Sequence, residues 1–338
     1  MPHSESATAI PSTRVALLRP DLSACESAGV PLGLLLARAQ IPAELIENPL
    51  AAVPVENAYR FGELACGKLG TEHLGLHISL ARSLDDYGRY GQMLQRSLTV
   101  YEYLRKGIHF YNMVITGQRI WLSEHREELR FNVATVGGYE LAAYQSQFET
   151  MIGTINKLRE AESNWSPREI SLAYRSAEAL PVIAQFAGSR ISRGTGETYF
   201  TIPRAMMGLR FPVSAPGPAR GSEAPLWRSL PEQLGDLVEL QIESLLPDRR
   251  FQVGTIAETL SMSERTLQRN LARQGLSYSQ LLTEARIRRA TQWLECTDMP
   301  IAEIACALGY TDASNFTRAF RRQLGVSPQT FRHSARTA

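Results

Sequence analysis

Apolar positions in the last third of the chain follow a helical period in two copies of one pattern. The leading segments share three apolar positions, at Ile256, Ala257 and Leu260 and, 48 residues on, at Ile304, Ala305 and Leu308. The trailing segments share an apolar pair one helical turn apart, at Leu267 and Leu271 and, 49 residues on, at Phe316 and Phe320. Each copy predicts a helix, a short turn and a second helix, the first motif over about 255–275 and the second over about 301–325.

Polar residues mark the ends of these helices. Thr255 followed by Glu258 has the spacing of a capping box, which predicts that the first helix begins at Thr255. Gly309 is expected to close the matching helix of the second copy in the left-handed conformation, and Asp312 to cap the helix after it.

The face opposite Leu267 and Leu271 is polar and basic, with Arg265, Gln268, Arg269 and Arg273. Arginine can bond guanine O6 and N7, and glutamine can pair with adenine N6 and N7, in a major groove wide enough for a helix. A solvated polar face is the simpler interpretation of one such helix. The repetition of the pattern instead favours two helix-turn-helix motifs that read DNA.

Between the motifs the sequence predicts one long helix, Tyr278–Cys296. Residues spaced four apart, which would share one face of this helix, are Leu282, Arg286, Ala290 and Leu294. A helix of these 19 residues would measure about 28 Å, comparable to the roughly 34 Å between successive major-groove faces. One chain is thus expected to place two helices in adjacent grooves. Core hydrogen bonds or phosphate contacts, rather than base reading, are expected of Arg286, Arg288 and Arg289.

The N-terminal two thirds of the chain predict a mixed architecture. Helical periods occupy 23–38, 56–69, 74–81 and 98–114, and further helices are predicted at 139–160 and 178–187. Strand patterns occupy 119–124, 128–135, 169–174 and 198–202. The predicted fold class is an α+β N-terminal domain, helical first and then a small, mostly antiparallel sheet with helices, followed by an all-α C-terminal domain.

A stretch rich in proline and glycine separates the two parts. Residues 211–225, FPVSAPGPARGSEAP, hold four prolines and two glycines and keep no helical period, which is typical of a linker. The predicted limits are 1–211, 212–225 and 226–338. The length of 338 residues agrees with about two domains.

Charge is distributed unevenly along the chain. Residues 248–338 carry 13 arginines, no lysine and 8 acidic residues, a net charge of +5. Since the whole chain has a formal charge of +2, the first 247 residues carry −3. A small imbalance of this kind fits a nucleic-acid-binding module attached to another domain.

Composition argues against several other classes of protein. The four cysteines, Cys25, Cys66, Cys296 and Cys306, lie far apart, which argues against a zinc site and a disulfide framework. No run of about 18–20 apolar residues predicts a membrane span, and residues 1–13 are polar, so we expect a cytoplasmic protein. Neither a phosphate-binding loop nor a Gly-x-Ser-x-Gly elbow occurs, and no cofactor and no catalytic residue is predicted.

The two motifs closely resemble the DNA-binding domain of AraC/XylS-type bacterial transcription regulators. The resemblance covers 255–332 and includes LSMSERTLQRNLARQG and IAEIACALGYTDASNFTRAFRRQLGVSPQTFR. It implies base-reading roles for Arg265, Gln268, Arg269, Ser314, Asn315 and Arg318, and phosphate contacts for Arg273, Arg321 and Arg322. Ser261 departs from the pattern, because the family often has glycine at the end of the leading helix.

The N-terminal order of elements resembles the effector domain of a subset of the same regulators, a domain named for arabinose binding. One type of regulator with this domain responds to ornithine. The resemblance implies that 1–211 senses a small molecule and dimerises, and that 226–338 binds DNA. The expected partners are double-stranded promoter DNA, a small-molecule effector, RNA polymerase and a second copy of the chain, without a membrane.

Candidate ligand groups in the N-terminal part are less specific. Arg119, Tyr139 and Tyr144 are the polar residues that we assign to the effector site. Aromatic residues that line a pocket or pack in the core are expected at Tyr87, Tyr90, Tyr101, Tyr103, Phe110, Tyr111 and Trp121. His73 and His77 have a spacing that can hold a metal on a helix, but no third ligand is evident and no metal site is predicted.

Two other functions remain open at this point. A sequence-tolerant architectural DNA binder would share the basic motifs. A DNA alkylation-repair methyltransferase can also carry an AraC-type domain, but it needs a Pro-Cys-His-Arg motif, and no cysteine of this chain has those neighbours.

Overall fold

The chain forms two compact units. The computed structural model describes residues 10–71, 74, 84–135, 140–173, 188–212, 229–231, 233–246, 249 and 251–337. The N-terminal unit contains Pro11–Ile41 and Val53–Leu230, and the C-terminal unit contains Pro42–Ala52 together with the chain from Pro231 onward. Among the described residues, none of the helices has the length and apolar character that crossing a bilayer requires.

The strands of the chain form two sheets. Their bounds are β1 Ser12–Arg14, β2 Ala52–Pro54, β3 Gln118–His125, β4 Glu128–Thr135, β5 Glu169–Leu172, β6 Arg190–Arg193 and β7 Thr198–Pro203. A two-stranded sheet joins β1 and β2, and a five-stranded sheet has the order β3-β4-β7-β5-β6. The pair β5-β6 is parallel and the other pairs of the larger sheet are antiparallel. This confirms the predicted small, mostly antiparallel sheet.

The helices of the N-terminal unit precede and interrupt this sheet. They are α1 Arg19–Ser27, α2 Leu32–Arg38, α3 Val55–Leu69, α4 Gly88–Gln95, α5 Val100–His109 and α6 Glu140–Arg159. The long helix α6 packs on β4 and β7. Met151, Ile152 and Phe200 are fully buried, and the rings of Phe131 and Phe200 lie 5.2 Å apart. Burial of each such side chain contributes about 1.5–3 kcal/mol, so this layer forms the core of the sheet half.

Two predicted helices of this unit were too long. The single helix predicted over 23–38 is wrong, because Gly29 takes a positive φ of 70° and separates α1 from α2. Glycine favours this conformation, and Pro31, which precedes α2, has no N–H to continue a helix. The helix predicted over 98–114 covers Val100–His109 only, and a separate 3-10 turn follows it.

Some predicted elements lie outside the described residues. These are most of the helix predicted over 74–81, the helix over 178–187, and most of the linker over 212–225. The linker limits stay predictions.

The C-terminal unit is helical, as predicted. Its helices are α7 Leu234–Leu245, α8 Val253–Thr259, α9 Glu264–Arg273, α10 Tyr278–Cys296, α11 Ile301–Ala307, α12 Ala313–Leu324 and α13 Pro328–Thr337. The long helix between the two motifs has the predicted bounds. Its N-terminus is fixed by a capping box of Ser277 and Gln280.

The predicted start of the first motif is wrong by two residues. The helix α8 begins at Val253, and its N-cap is Gln252, which has an extended backbone. Thr255 therefore lies inside the first turn and not at the N-cap. For this reason the predicted capping box of Thr255 and Glu258 does not form. The spacing of Thr255 and Glu258 alone did not reveal that Val253 and Gly254 join the first turn.

A short segment from early in the sequence packs on α7. Within the C-terminal unit, the 3-10 helix Ala43–Glu47 contacts α7. The side chain of Gln241 on α7 is fully buried, and its Nε2 donates a hydrogen bond of 2.5 Å to the carbonyl of Ala52. The first helix of the C-terminal unit thus relies on backbone that precedes it by 189 residues.

Matching turns join the helices of the two motifs. Ser261 and Gly309 both have a positive φ, of 55° and 74° respectively. The amide of Met262 bonds the carbonyl of Ala257, and the amide of Tyr310 bonds that of Ala305, each at 2.9 Å. The second motif meets this backbone requirement with glycine, whereas the first places a serine in a conformation that L-residues disfavour.

We expect Ser261→Gly to stabilise the C-terminal unit by about 0.5–1 kcal/mol, because glycine relieves the left-handed strain that serine carries at this turn. Urea unfolding of the full chain followed by circular dichroism measures this change. Ser244→Gly, within the helix α7, is the matched control and should lower stability by a similar amount. Equal destabilisation by both substitutions would contradict the strain at Ser261.

Candidate nucleic-acid interface

The helix α9 presents a basic face because its apolar residues are buried. Its N-cap is Ser263, whose hydroxyl accepts the amide of Thr266 at 3.2 Å. Leu267 and Leu271 are fully buried, which fixes the rotation of the helix about its axis. The side chains on the other face are exposed, at Arg265, Gln268, Arg269 and Arg273.

The helix α12 repeats this arrangement with aromatic residues. Phe316 and Phe320 are fully buried, with ring centroids 5.6 Å apart. The predicted cap is confirmed, since an Asp312 carboxylate oxygen accepts the amide of Asn315 at 2.7 Å. The predicted contact residues are exposed at Ser314, Arg318, Arg321 and Arg322, whereas Asn315 is half-buried. We call α9 and α12 the reading helices.

The side chain of Asn315 is held by its neighbours. Its Nδ2 donates to Thr311 Oγ1 and to Asp312 Oδ2, each at 2.7 Å. Its Oδ1 accepts a hydrogen bond of 2.5 Å from Arg318 Nη2. Asn315 thus orients the guanidinium of Arg318, which keeps further N–H groups for a guanine edge or a phosphate. To read a base itself, Asn315 would have to exchange these bonds.

The second motif is built on the long helix α10. A cluster of buried apolar residues joins three helices, with Ile287, Ala290 and Leu294 from α10, Ile304, Ala305 and Leu308 from α11, and Phe316 and Phe320 from α12. The sequence pattern found this face of α10 in part, since Ala290 and Leu294 are buried but Leu282 is only half-buried. The cluster fixes α12 on a rigid support.

The other arginines of α10 face protein. Arg288 forms an ion pair with Glu239 and a second one of 3.4 Å with Glu243, and so ties α10 to α7. The guanidinium of Arg289 lies 5.9 Å from the ring of Trp293 on the same helix. Arg288 is therefore engaged in partly exposed ion pairs with α7, and the predicted choice between core hydrogen bonds and phosphate contacts stays a prediction for these arginines.

Positive charge concentrates on the reading helices. Within the described part of the chain, no ion pair with a carboxylate is formed by Arg265, Arg269, Arg273, Arg318, Arg321 or Arg322. Arginine is protonated at all physiological pH values and matches phosphate oxygens and guanine edges. The exposed arginines of the two helices can therefore bind a polyanion.

The structure describes two of the three predicted effector residues. Arg119 is exposed on β3, with its guanidinium 5.8 Å from the ring of Trp121. Tyr144 is buried on α6, where its ring lies 5.0 Å from that of Phe148. Tyr139 lies outside the described residues. The assignment of these three residues to an effector site stays a prediction.

A cleft in the N-terminal unit was missed by the sequence analysis. It encloses about 70 Å³ between α1, α3 and α6. Its apolar walls include Leu18 and Ala58, and its polar lining is Thr13, Asp21, Tyr59, Glu63, Gln145, Ser146 and Glu149. These residues are far apart in the sequence, so no local motif signals them.

The polar lining of this cleft includes three acidic side chains. Burial raises the pKa of Tyr59 to about 12 and also raises the pKa of Cys66, so both groups are neutral at neutral pH. Asp21, Glu63 and Glu149 are the charged residues of the lining. Carboxylate oxygens accept hydrogen bonds from amino and guanidinium groups, so the lining could pair with such a group of a ligand.

No metal centre is found in the part of the chain that the structure describes. No group of three or more His, Cys, Asp or Glu side chains lies close enough there to hold an ion. His73 and His77 lie outside the described residues.

Two family models match the chain. The model described as the arabinose-binding domain of AraC transcription regulator, N-terminal, matches residues 29–211. The model described as a helix-turn-helix domain matches residues 256–334. Together they cover most of the N-terminal unit, from residue 29 to residue 211, and both reading helices.

Two curated bacterial regulators and one crystal structure resemble the chain. The ornithine utilization regulator of Pseudomonas aeruginosa is 25% identical over 315 residues, 90% of this chain and 92% of that protein. The HTH-type transcriptional regulator VqsM of the same species is 39% identical over 97 residues, 29% of this chain and 30% of that regulator. The crystal structure of transcriptional regulator CdpR from P. aeruginosa is 22% identical, covers 94% of this chain and 98% of its own, and has a TM-score of 0.43.

We expect Asp312→Ala to lower the free energy of unfolding of the C-terminal unit by about 1 kcal/mol, because the amide of Asn315 loses its cap. Asp312→Asn is the matched control, since asparagine caps helices as well as aspartate does. Urea unfolding of the full chain, followed by circular dichroism, measures both variants. An alanine variant as stable as the wild type would exclude this role of the cap.

Proposed function

Because the chain belongs to the AraC-type transcription regulators with an arabinose-binding N-terminal domain, we propose that it binds specific promoter sites and that a small molecule bound in the N-terminal unit controls this binding. The observation that carries the proposal is the pair of exposed basic faces on α9 and α12, each fixed by a buried apolar pair.

Base reading is assigned to the N-terminal halves of the reading helices. We propose that Arg265, Gln268 and Arg269 contact base edges in one major groove. Ser314, Asn315 and Arg318 contact those of the next groove. The bonds between Asn315 and Arg318 support a shared role, in which Asn315 orients the arginine that makes the contact.

Phosphate contacts supply most of the affinity in this proposal. Arg273, Arg321 and Arg322 are exposed at the C-terminal ends of the reading helices, where they meet the backbone on either side of a groove. Neutralised phosphates release counterions, so the affinity falls steeply as salt rises. Specificity comes from the base contacts, whose contribution to the binding free energy changes little with salt concentration.

The effector is proposed to bind in the cleft lined by α1, α3 and α6. Its acidic side chains can pair with an amino group of a small ligand, and its remaining walls are apolar. The full-length relative is named for ornithine utilization, and ornithine carries two amino groups. L-Ornithine and other small amines are therefore the first effectors to try.

Assembly at the promoter completes the proposal. The chain acts as a dimer and contacts RNA polymerase, as the resemblance implies. Residues 1–211 sense the effector, 212–225 act as the linker and 226–338 bind DNA. The segment Pro42–Ala52 lies in the first of these ranges but belongs to the C-terminal unit. We propose that a change caused by the effector in residues 1–211 reaches the DNA-binding helices through this segment.

We expect Arg269→Ala and Arg318→Ala each to weaken binding to the operator by about 1–3 kcal/mol and to relax the preference at one base pair. Fluorescence anisotropy on a duplex selected by the wild-type protein from a random library measures this, with a scrambled duplex beside it. Arg38→Ala, which removes an exposed helical arginine from the N-terminal unit, is the matched control and should have no effect. Equal wild-type affinity for both duplexes would identify an architectural DNA binder instead.

We expect Gly62→Met to abolish the response to the effector while leaving operator binding intact. Gly62 lines the cleft on α3, and a Cβ added there meets no atom within 4 Å, so a methionine side chain can start from this position and occupy space in the cleft. Gly67→Met is the matched control, because Gly67 lies on the same helix with equal space but outside the cleft. Thermal shift with L-ornithine and a panel of amines is the measurement, and an unchanged ligand response in Gly62→Met would exclude this cleft.

A further inference from the structure

One arginine contacts both the residue that leads into the first helix-turn-helix motif and the turn of the second. The guanidinium of Arg286, near the middle of α10, lies 4.7 Å from the ring of Phe251 and 4.8 Å from the ring of Tyr310. Its Nη2 also donates a hydrogen bond of 3.3 Å to the carbonyl of Gly309. Phe251 comes directly before the first motif, and Gly309 and Tyr310 form the turn of the second. We call these four residues and Tyr278 the Arg286 cluster.

The first motif is attached to the cluster through its backbone as well. The hydroxyl of Tyr278, at the start of α10, donates to the carbonyl of Phe251. Phe251 is thus held at its ring by Arg286 and at its carbonyl by Tyr278. Both groups belong to α10, so the start of the first motif cannot shift along this helix without losing two contacts.

Gly309 allows the two motifs to approach closely. A Cβ at this position would lie 2.4 Å from the Phe251 ring and 3.2 Å from Arg286 Nη2. The backbone there also has a positive φ of 74°. The turn of the second motif therefore packs directly on the side chain that leads into the first.

The charge of Arg286 is partly removed from water. Burial lowers the pKa of its guanidinium, which is the expected effect of desolvation on a cation. A cation over aromatic rings is attracted more strongly when it is desolvated. In contrast to Arg288, which pairs with carboxylates, Arg286 contacts two aromatic rings and a backbone carbonyl.

We propose that Arg286 is a positioning residue that fixes the separation and relative rotation of the two reading helices, and so sets the number of base pairs between the two DNA half-sites that one chain reads. This inference rests on the proposed function. One base pair added between half-sites moves the second by about 3.4 Å and rotates it by about 35°. A rigid protein cannot follow such a change, whereas a loosened one can.

Because the two reading helices are held rigidly, the affinity for DNA depends on the spacing of the half-sites. When one reading helix is bound, the second binds as an intramolecular event whose effective concentration depends on how well the two are held in the correct geometry. Loosening the Arg286 cluster lowers this gain at the preferred spacing. It leaves the contacts of each helix with its own half-site unchanged, because Arg286 lies on α10 and not on a reading helix.

The test uses the full chain and the duplex that the wild-type protein selects from a random library. Four derivatives of this duplex have one or two base pairs inserted or deleted between the half-sites, and two more keep one half-site and scramble the other. Arg286→Met removes the charge and the hydrogen bond at similar length, and Arg286→Lys restores the charge. Arg289→Met is the matched control, because Arg289 contacts Gln292 and Trp293, which lie on its own helix.

The wild type and Arg289→Met should lose at least about tenfold in affinity for each change of one base pair. Arg286→Met should lose about tenfold at the selected spacing, less than about twofold on a single half-site, and show a flattened dependence on spacing. Arg286→Lys should recover part of the dependence. If Arg286→Met keeps the wild-type spacing profile, or weakens binding to single half-sites as much as to the full site, the inference is wrong.

A replacement variant and a test of wild-type specificity cover the cases in which the first series gives no answer. If Arg286→Met does not fold by circular dichroism, Phe251→Leu, which removes one of the two rings, replaces it in the same series and should flatten the profile in the same way. If the wild type does not prefer its selected duplex to a scrambled one, the proposed function fails. If the wild type is specific and the variants keep its spacing profile, only the role of Arg286 fails.

Discussion

The burial of one apolar pair in each reading helix is the constraint on which the DNA-binding half depends. Leu267 and Leu271 are fully buried on α9, as are Phe316 and Phe320 on α12. Residues four apart share one face of a helix, so burying such a pair leaves little freedom of rotation about the axis. The basic side chains are therefore exposed because the apolar ones are not, and no arginine contact is needed to direct them.

The two units place their functional groups by different means. In the C-terminal unit the exposed face of a single helix supplies each set of proposed DNA contacts, so the groups are neighbours in sequence. In the N-terminal unit the cleft collects side chains from α1, α3 and α6. One wall is held by polar bonds, since Gln118 on β3 accepts the hydroxyl of Tyr111 at 2.5 Å and that of Ser146 at 3.4 Å.

This difference explains what could be predicted from the sequence. The bounds of α10 and the turn at Gly309 were predicted correctly, because period, capping and glycine are local signals. The break at Gly29 and the start of α8 at Val253 were missed, because several local patterns compete at a helix end. The cleft could not be predicted at all, since its lining is assembled by tertiary packing.

The hydrogen bond between Gln241 and the carbonyl of Ala52 affects where the DNA-binding domain can be cut out for transfer to another regulator. A DNA-binding module transplanted from residue 231 onward leaves Pro42–Ala52 behind. The fully buried amide of Gln241 then loses its acceptor, and the apolar side of α7 meets water. Chimaeras made by a single crossover at the linker should therefore expose the surface of α7 that this segment covers and tend to aggregate. Chimaeras that also carry Pro42–Ala52 keep this surface covered.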